Sequence, residues 1–437
     1  MHQDHVAHPS PDHAKADRRA WIGLAVIALP CLLYSMDLTV LHLATPALTA
    51  DLQPTGSQLL WILDIYGFLI AGSLLTMGTL GDRIGRRKLL LIGAAAFGLA
   101  SIFAAFATSA EMLIVARALL GIAGATLAPS TLSLLRTMFP GPAQFTAAIG
   151  VWVSSFSAGA AIGPLVGGLL LERFWWGSVF LISVPVMLLL LAVGPVLLPE
   201  YKDPTAGRLD LLSAAQSLAA VLLIIFGLKQ IAVEGLGPVP ATAIVAGLLV
   251  GAWFIGRQRT LSDPLVDLAL FCNRAFNASL AVYLLGILFV FGLSYYTAQY
   301  LQLVLGLSPF NAGVWTIPGV IAFIVSSNLA PRIVRQIRPG YLVAGGLGLA
   351  AIGVGLLTQV DVASLPLLVI GNVIMSLGFG PVITLATDVI VGSAPPERAG
   401  AASGLSETSA EFGGALGIAV LGSIGLEPAV AQAPAAA

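Results

Sequence analysis

The stretch Gly78-Thr79-Leu80-Gly81-Asp82-Arg83-Ile84-Gly85-Arg86-Arg87-Lys88 decides how this chain folds. Four basic residues and one acid fall between positions 82 and 88. On either side the charge stops: 58–81 holds a single charged residue, Asp64, and 89–108 holds none. Each flank has the roughly 20 apolar residues that an α-helix needs to cross a bilayer. The stretch is therefore a short charged hairpin joining two membrane spans. A related stretch, Leu329-Ala330-Pro331-Arg332-Ile333-Val334-Arg335, lies 249 residues further on, with Leu, Arg, Ile and Arg in register with Leu80, Arg83, Ile84 and Arg86. Two such hairpins point either to two related halves of parallel topology, an organisation used by transporters of alternating access, or to chance similarity between two basic membrane loops.

Composition agrees with this. Of 437 residues, 58% are hydrophobic and only 9% charged, against about 25% charged in an ordinary soluble domain. That leaves too little polar surface for a water-exposed exterior and excludes a soluble enzyme, a nucleic-acid binder, a disordered chain and a disulfide scaffold. The net charge of −1 gives no electrostatic case for a polyanionic partner. The two cysteines, Cys31 and Cys272, have no metal-ligand spacing, and no cofactor motif is present. A membrane enzyme finds no His-x-x-x-His pair or nucleophile elbow to rest on. The polar first 20 residues, with His2, His5, His8 and His13, read as a tail.

Thirteen apolar segments are expected to span: 21–45, 58–81, 89–108, 111–134, 144–171, 175–198, 209–231, 240–258, 275–300, 310–332, 340–360, 363–391 and 399–425. With the N-terminus in the cytoplasm, seventeen of the twenty Lys and Arg fall inside. Only Arg173 and Lys229 fall outside, and Arg117 lies within a span. Such a bias is the expected signature of cytoplasmic loops. The organisation that follows is a cytoplasmic tail (1–20), a six-helix bundle (21–200), an inserted helix pair (201–262), a second bundle (263–425) and a tail (426–437).

Charges within spans are costly, about 2.5–3.5 kcal/mol each on insertion scales, so each calls for a reason. Asp37, Asp64 and Arg117 fall at similar depth in the outer half and are expected to cluster, with Arg117 pairing Asp37 or Asp64. Such a pair serves either helix packing or proton binding. Glu407 and Glu411, spaced i,i+4, share one face of the last span. They lie about 13 and 19 Å deep at ~1.5 Å per residue. With no cation in that span they should repel, so one is expected to hold a proton; the alternative is two neutral acids hydrogen-bonded to a neighbouring helix. Asp361 and Asp388 are expected to be solvated. Tyr34, Trp61, Tyr66, Trp152, Phe156, Tyr295, Tyr296 and Trp315 could line a cavity, where aromatic faces beside carboxylates suit a lipophilic cation.

Gly78-x-Leu80-x-Asp82-Arg83-x-Gly85-Arg86-Arg87-Lys88 resembles the loop motif between helices 2 and 3 of the major facilitator superfamily. Arg117-x-x-x-Gly121 resembles that superfamily's Arg motif in helix 4. Gly159-x-x-x-Gly163-Pro164-x-x-Gly167-Gly168 resembles the helix-5 motif of its antiporters. Met36-Asp37-Leu38-Thr39-Val40 with Pro46, and Gly404, Leu405, Thr408, Gly413 and Gly414, are similar to helices 1 and 13 of the fourteen-span drug:proton antiporters. Within that subgroup the chain looks closest to bacterial exporters of quaternary ammonium compounds and methyl viologen.

The resemblance covers nearly the whole chain and implies an all-α integral membrane protein. Two six-helix bundles with two helices inserted between them would rock around a central cavity. The protein would sit in the bacterial inner membrane as a monomer and exchange protons for lipophilic cations. Asp37, Asp64, Arg117, Glu407 and Glu411 would couple protons or bind substrate, and Gly78, Asp82, Arg83, Gly85, Arg86 and Arg87 would form the gating loop. The family has fourteen spans and thirteen are counted here, so the last helix of the second bundle is expected to be missing. The alternatives are an exporter of another amphiphile (a lipid, siderophore or amino acid) or a truncated membrane protein that does not transport.

Overall fold

The computed structural model describes residues 17–202, 209–307, 309–361 and 364–431. The side chains of Leu38, Thr39, Pro164 and residues 421–431 lie outside the described set, as do the four tail histidines, Lys15, Arg208 and the tail beyond Ala431. Among the described residues there are fourteen α-helices and no strand. They are α1 (Arg18–Leu52), α2 (Gly56–Ile84), α3 (Arg86–Ala105), α4 (Ala110–Met138), α5 (Pro142–Arg173), α6 (Ser178–Leu181), α7 (Ser183–Leu197), α8 (Leu211–Glu234), α9 (Pro238–Gln258), α10 (Arg274–Gln299), α11 (Pro309–Ile333), α12 (Pro339–Leu357), α13 (Leu365–Gly392) and α14 (Ala399–Ala431). The short α6 and α7 together make the sixth span.

Local chemistry places the helix starts. Asp17 accepts the Ala20 amide at the head of α1, and Ser109 accepts the Met112 amide at the head of α4. Thr55 and Gln58 form a reciprocal capping box on α2. Gly85, between α2 and α3, has φ +111°, a left-handed conformation that a side chain resists.

Twelve of the described spans are long and apolar enough to cross a bilayer. The thirteenth expected span, α14, is a continuous helix that falls outside that set. It carries Glu407 and Glu411 among Ser403, Ser406, Thr408 and Ser409, and every one of these except Glu411 is buried. Its polarity is turned to protein. The helix also runs past the expected boundary at 425, to Ala431.

Helices α1 to α7 pack together: α1 on α5, α2 on α4, and α3 on α4 and α7. Helices α10 to α14 form a second group, with α13 against α10, α11 and α12, and α10 against α14. The groups meet through α2 with α14 and α5 with α11. The hairpin α8–α9 packs on itself and lays α8 against both α2 and α14. Outward surfaces are apolar: Leu99, Val196 and Leu249 are each more than 60% exposed. This suits hydrocarbon, where lipid tails take the place of a core.

Candidate functional site

Two places gather the charged residues: the end of the molecule that carries the 78–88 hairpin, and a line of side chains between the two groups of helices.

At the basic end, α2 and α14 cross at Gly78 and Gly400. A Cβ on Gly78 would lie 2.2 Å from the Gly400 carbonyl oxygen, and one on Gly400 2.3 Å from that of Gly78. The crossing exists only because neither has a side chain. It brings the Asp82 carboxylate onto the first turn of α14, where it accepts the amides of Gly400 and Ala401, each at 3.0 Å. A negative charge at a helix N-terminus meets free N–H groups and the positive end of the helix dipole. Arg86, fully buried, donates to Asp82 at 2.9 Å, to the carbonyls of Ser133 and Pro396, and to Thr137, and lies over the Tyr201 ring. Arg83 reaches Asp263, in the segment after α9, at 2.8 Å, and Arg398 reaches the other oxygen of the same carboxylate, also at 2.8 Å. Arg87 pairs with Glu200, which also accepts the Arg87 and Lys88 amides at the head of α3. Further bonds between the groups gather here: Arg136 to the Gly392 carbonyl, Thr146 to Asp388 at 2.6 Å, and Asn328 to Ser154 at 2.7 Å. Asp388, expected to be solvated, is instead partly buried as an acceptor between α5 and α13. Asp361 is exposed.

The inner line begins at Arg117 of α4, which is 1% exposed. Its guanidinium meets Asp37 of α1 at 2.5 Å, donates to the Ile62 carbonyl at 3.2 Å and lies 4.4 Å over the Tyr66 ring. One cation is thus satisfied by a carboxylate, a carbonyl and a π face, the combination that offsets burial of a charge. Gly121, one turn on, packs against the Tyr66 backbone and lets α4 approach α2. Tyr66 is wholly buried and its hydroxyl has no hydrogen-bond partner among the described residues. Its ring stands 6.4 Å from Tyr34, whose hydroxyl donates to Glu411 at 2.9 Å. Phe156 packs edge-on against Tyr34 at 5.6 Å and against Trp152 at 4.7 Å. The line Asp37, Arg117, Tyr66, Tyr34, Glu411 therefore runs from one group of helices into the other. Glu407, one turn from Glu411, is buried, and its Oε1 accepts no hydrogen bond among the described residues. Tyr283 of α10 is its polar neighbour.

The structure brings together Asp37, Arg117, Tyr34, Tyr66, Trp152, Phe156 and Glu411. It separates others. Asp64 does not join Arg117; it pairs with Lys229 of α8. Lys229, expected at the outer edge of its span, lies within α8 and over the Phe68 ring. The physical reason is that α8 packs on α2, which the sequence order of the spans does not disclose. Trp61, Tyr295 and Trp315 are 46%, 38% and 43% exposed and stand outside the cluster, and Tyr296 meets Tyr295 edge-on. In α5, Gly159 packs on the Leu32 backbone and Gly167 on Val40, tightening α5 onto α1. Gly163 is buried, while Gly168 touches no other side chain or backbone at its Cβ position. Lys229, Asp263 and Tyr283 were missed. A lone lysine inside an apolar run was a signal for the first; nothing in the local sequence marks the other two.

Residues 27–418 match the family model described as Major Facilitator Superfamily. The chain belongs to the major facilitator superfamily. It is 42% identical to the multidrug efflux pump LfrA of Mycolicibacterium smegmatis, covering 95% of this chain and 82% of that protein. It is 37% identical to the methyl viologen resistance protein SmvA of Salmonella typhimurium, covering 92% of this chain and 82% of that one. A tetracenomycin C resistance and export protein of Streptomyces glaucescens is 35% identical, over 92% and 76%. The crystal structure of the human organic anion transporter MFSD10 shares the fold, with a TM-score of 0.64 at 18% identity over 94% of each chain. The protein is thus a multi-pass membrane transporter of this superfamily, with the superfamily's fold.

Proposed function

We propose that this protein exports lipophilic cationic drugs, quaternary ammonium compounds among them, across the bacterial inner membrane in exchange for protons. The observation that carries the reading is the line Asp37–Arg117–Tyr66–Tyr34–Glu411, which runs from one bundle into the other inside the protein. Charges within spans are costly, and such residues commonly mark ion and substrate paths. Glu407 adds a buried acid whose Oε1 accepts no hydrogen bond among the described residues, a natural place to take up and release a proton. Tyr34, Phe156 and Trp152 offer aromatic faces beside Glu411, suited to a delocalised cation. Relatives named for multidrug efflux and methyl viologen resistance support this cargo class.

In this reading the 78–88 hairpin is cytoplasmic, as its basic residues require. Bonds between the bundles gather at that end, which supports reading this state as closed toward the cytoplasm. Residues 21–200 and 263–425 are the two moving bodies, with 201–262 inserted between them. The relative named for tetracenomycin C export favours a second reading, in which the cargo extends beyond cations.

The test is ethidium efflux from cells expressing this chain, with and without an uncoupler, beside Glu407→Gln. Efflux by the parent that collapses with the uncoupler, and no efflux by the variant at equal amounts of folded protein, is the expected result. Uncoupler-insensitive efflux, or normal efflux by the variant, overturns the coupling assignment. No ethidium efflux by the parent overturns the cargo assignment.

A further inference from the structure

Asp64, Phe68 and Trp61 lie one turn apart along the same side of α2, where i,i+3 and i,i+4 residues meet. Phe68 and Trp61 stack edge to face at 6.5 Å. The side chain held there is Lys229, from the inserted helix α8. Its Nζ lies 2.5 Å from Asp64 Oδ1 and 4.6 Å from the Phe68 ring centroid. A carboxylate and an aromatic face on one ammonium is the arrangement by which proteins recognise organic cations. This pair is not sealed. The Lys229 and Asp64 side chains are 36% and 39% exposed, unlike Arg117 at 1%. Lysine is a compact charge on a flexible stem and can swing away, whereas the Arg117 guanidinium is locked by three partners.

We propose that Asp64, Phe68 and Trp61 form an organic-cation subsite whose resident occupant is the Lys229 ammonium, and that a quaternary or aromatic monocation enters by displacing it. The inserted hairpin then has a role besides filling space: α8 sets how tightly the protein holds cationic cargo. This inference rests on the cation-export reading above. A tethered competitor lowers apparent affinity by the fraction of time it fills the site. Removing it should therefore tighten binding, the reverse of what losing a structural salt bridge does.

The experiment is ethidium binding, followed by its fluorescence, to purified protein in nanodiscs. Lys229→Ala is expected to bind ethidium roughly three- to tenfold more tightly than the parent, and Lys229→Arg about as the parent does. Asp64→Asn should bind more weakly, and adding Lys229→Ala to Asp64→Asn should give no gain. If the alanine variant is not monodisperse, Lys229→Gln serves in its place. Unchanged or weaker binding after loss of Lys229 overturns the proposal and leaves the lysine a structural partner of Asp64. A gain that persists in the double variant also overturns it, because the lysine would then compete elsewhere. Absence of binding by the parent and every variant overturns this proposal and the cation cargo together. Tight binding with uncoupler-insensitive efflux overturns only proton exchange and leaves the subsite standing.

Discussion

Arg117 meets Asp37 on one side and the Tyr66 ring on the other, with almost no exposure. Truncating one partner of a buried pair strands the other charge and costs about 3–5 kcal/mol. Arg117→Ala should accordingly lower the melting temperature measured in detergent by several degrees. Arg117→Lys should fall between, since an ammonium cannot fork to a carboxylate and a carbonyl while lying flat on a ring. Glu411→Gln should behave differently. A glutamine carbonyl still accepts the Tyr34 hydroxyl, so the variant should fold and melt like the parent while uncoupler-sensitive efflux is lost. A melting curve and an efflux trace on the same preparation check both statements. Equal loss of stability in Glu411→Gln would show that the carboxylate holds the fold and not the proton.

At the scale of elements, the crossing of α2 and α14 is set by two missing side chains. In Gly400→Val the new Cβ would fall 2.3 Å from the Gly78 carbonyl and 2.6 Å from Asp82 Oδ1. The helices must part, at a cost of about 1–3 kcal/mol, and the Asp82 bonds to the α14 amides should break with them. Reduced transport with substrate selection unchanged is expected, read as efflux rates for several dyes. The inserted hairpin is clamped at its basic end by a two-pronged pair, Arg257 on Asp210 at 2.6 and 3.1 Å. The Arg257 fork, with Ser213, holds the Asp210 carboxyl well below the usual carboxylate range. A depressed value means the clamp is fully present above the ordinary carboxylate pKa, near ~3.9, and is lost only as pH falls below it. The hairpin should keep its hydrogen-exchange protection from neutral pH down to mildly acid pH, while Asp210→Asn should lose protection across that whole range.

For the whole molecule, Asp263 is the third party at the closed end. One carboxylate takes Arg83 from the first bundle and Arg398 from the segment leading into α14, and the Arg398 guanidinium also donates to the Pro264 carbonyl. The segment that follows the inserted pair thus bridges both halves in this state. Asp263→Asn removes the charge that two guanidinium groups share and should shift the population toward the opposite state. Spin labels at the basic ends of α5 and α11 should then report a larger share of long distances than in the parent. Asp82→Asn should move the same populations, because it loosens the α14 N-terminus, and should slow transport without changing which substrates are recognised. Unaltered distance distributions in both variants would mean that this end is held by apolar packing alone.

The order of charged hairpins and apolar runs, with its bias of Lys and Arg, was enough to determine a membrane protein of two related halves. The reason is that a bilayer admits few backbone solutions: a run of about 20 apolar residues must become a helix with all its backbone bonds internal. Asp37, Arg117 and Glu411 were legible as functional candidates for the same reason, since a charge in that setting needs a partner or a task. Which partner each takes was decided by tertiary structure. Asp64 stood at the same expected depth as Arg117 yet faces Lys229, because helix rotation and the docking of α8 on α2 choose neighbours that depth does not. Tyr295 and Trp315 carry the same aromatic chemistry as Tyr34 and Tyr66 but are exposed. Asp388 lies near the cytoplasmic end of its span, where solvation is the expectation, and became an interhelical acceptor only when α5 came against α13. Spans are a local property of hydropathy and length. Faces, and therefore sites, follow from packing between helices hundreds of residues apart.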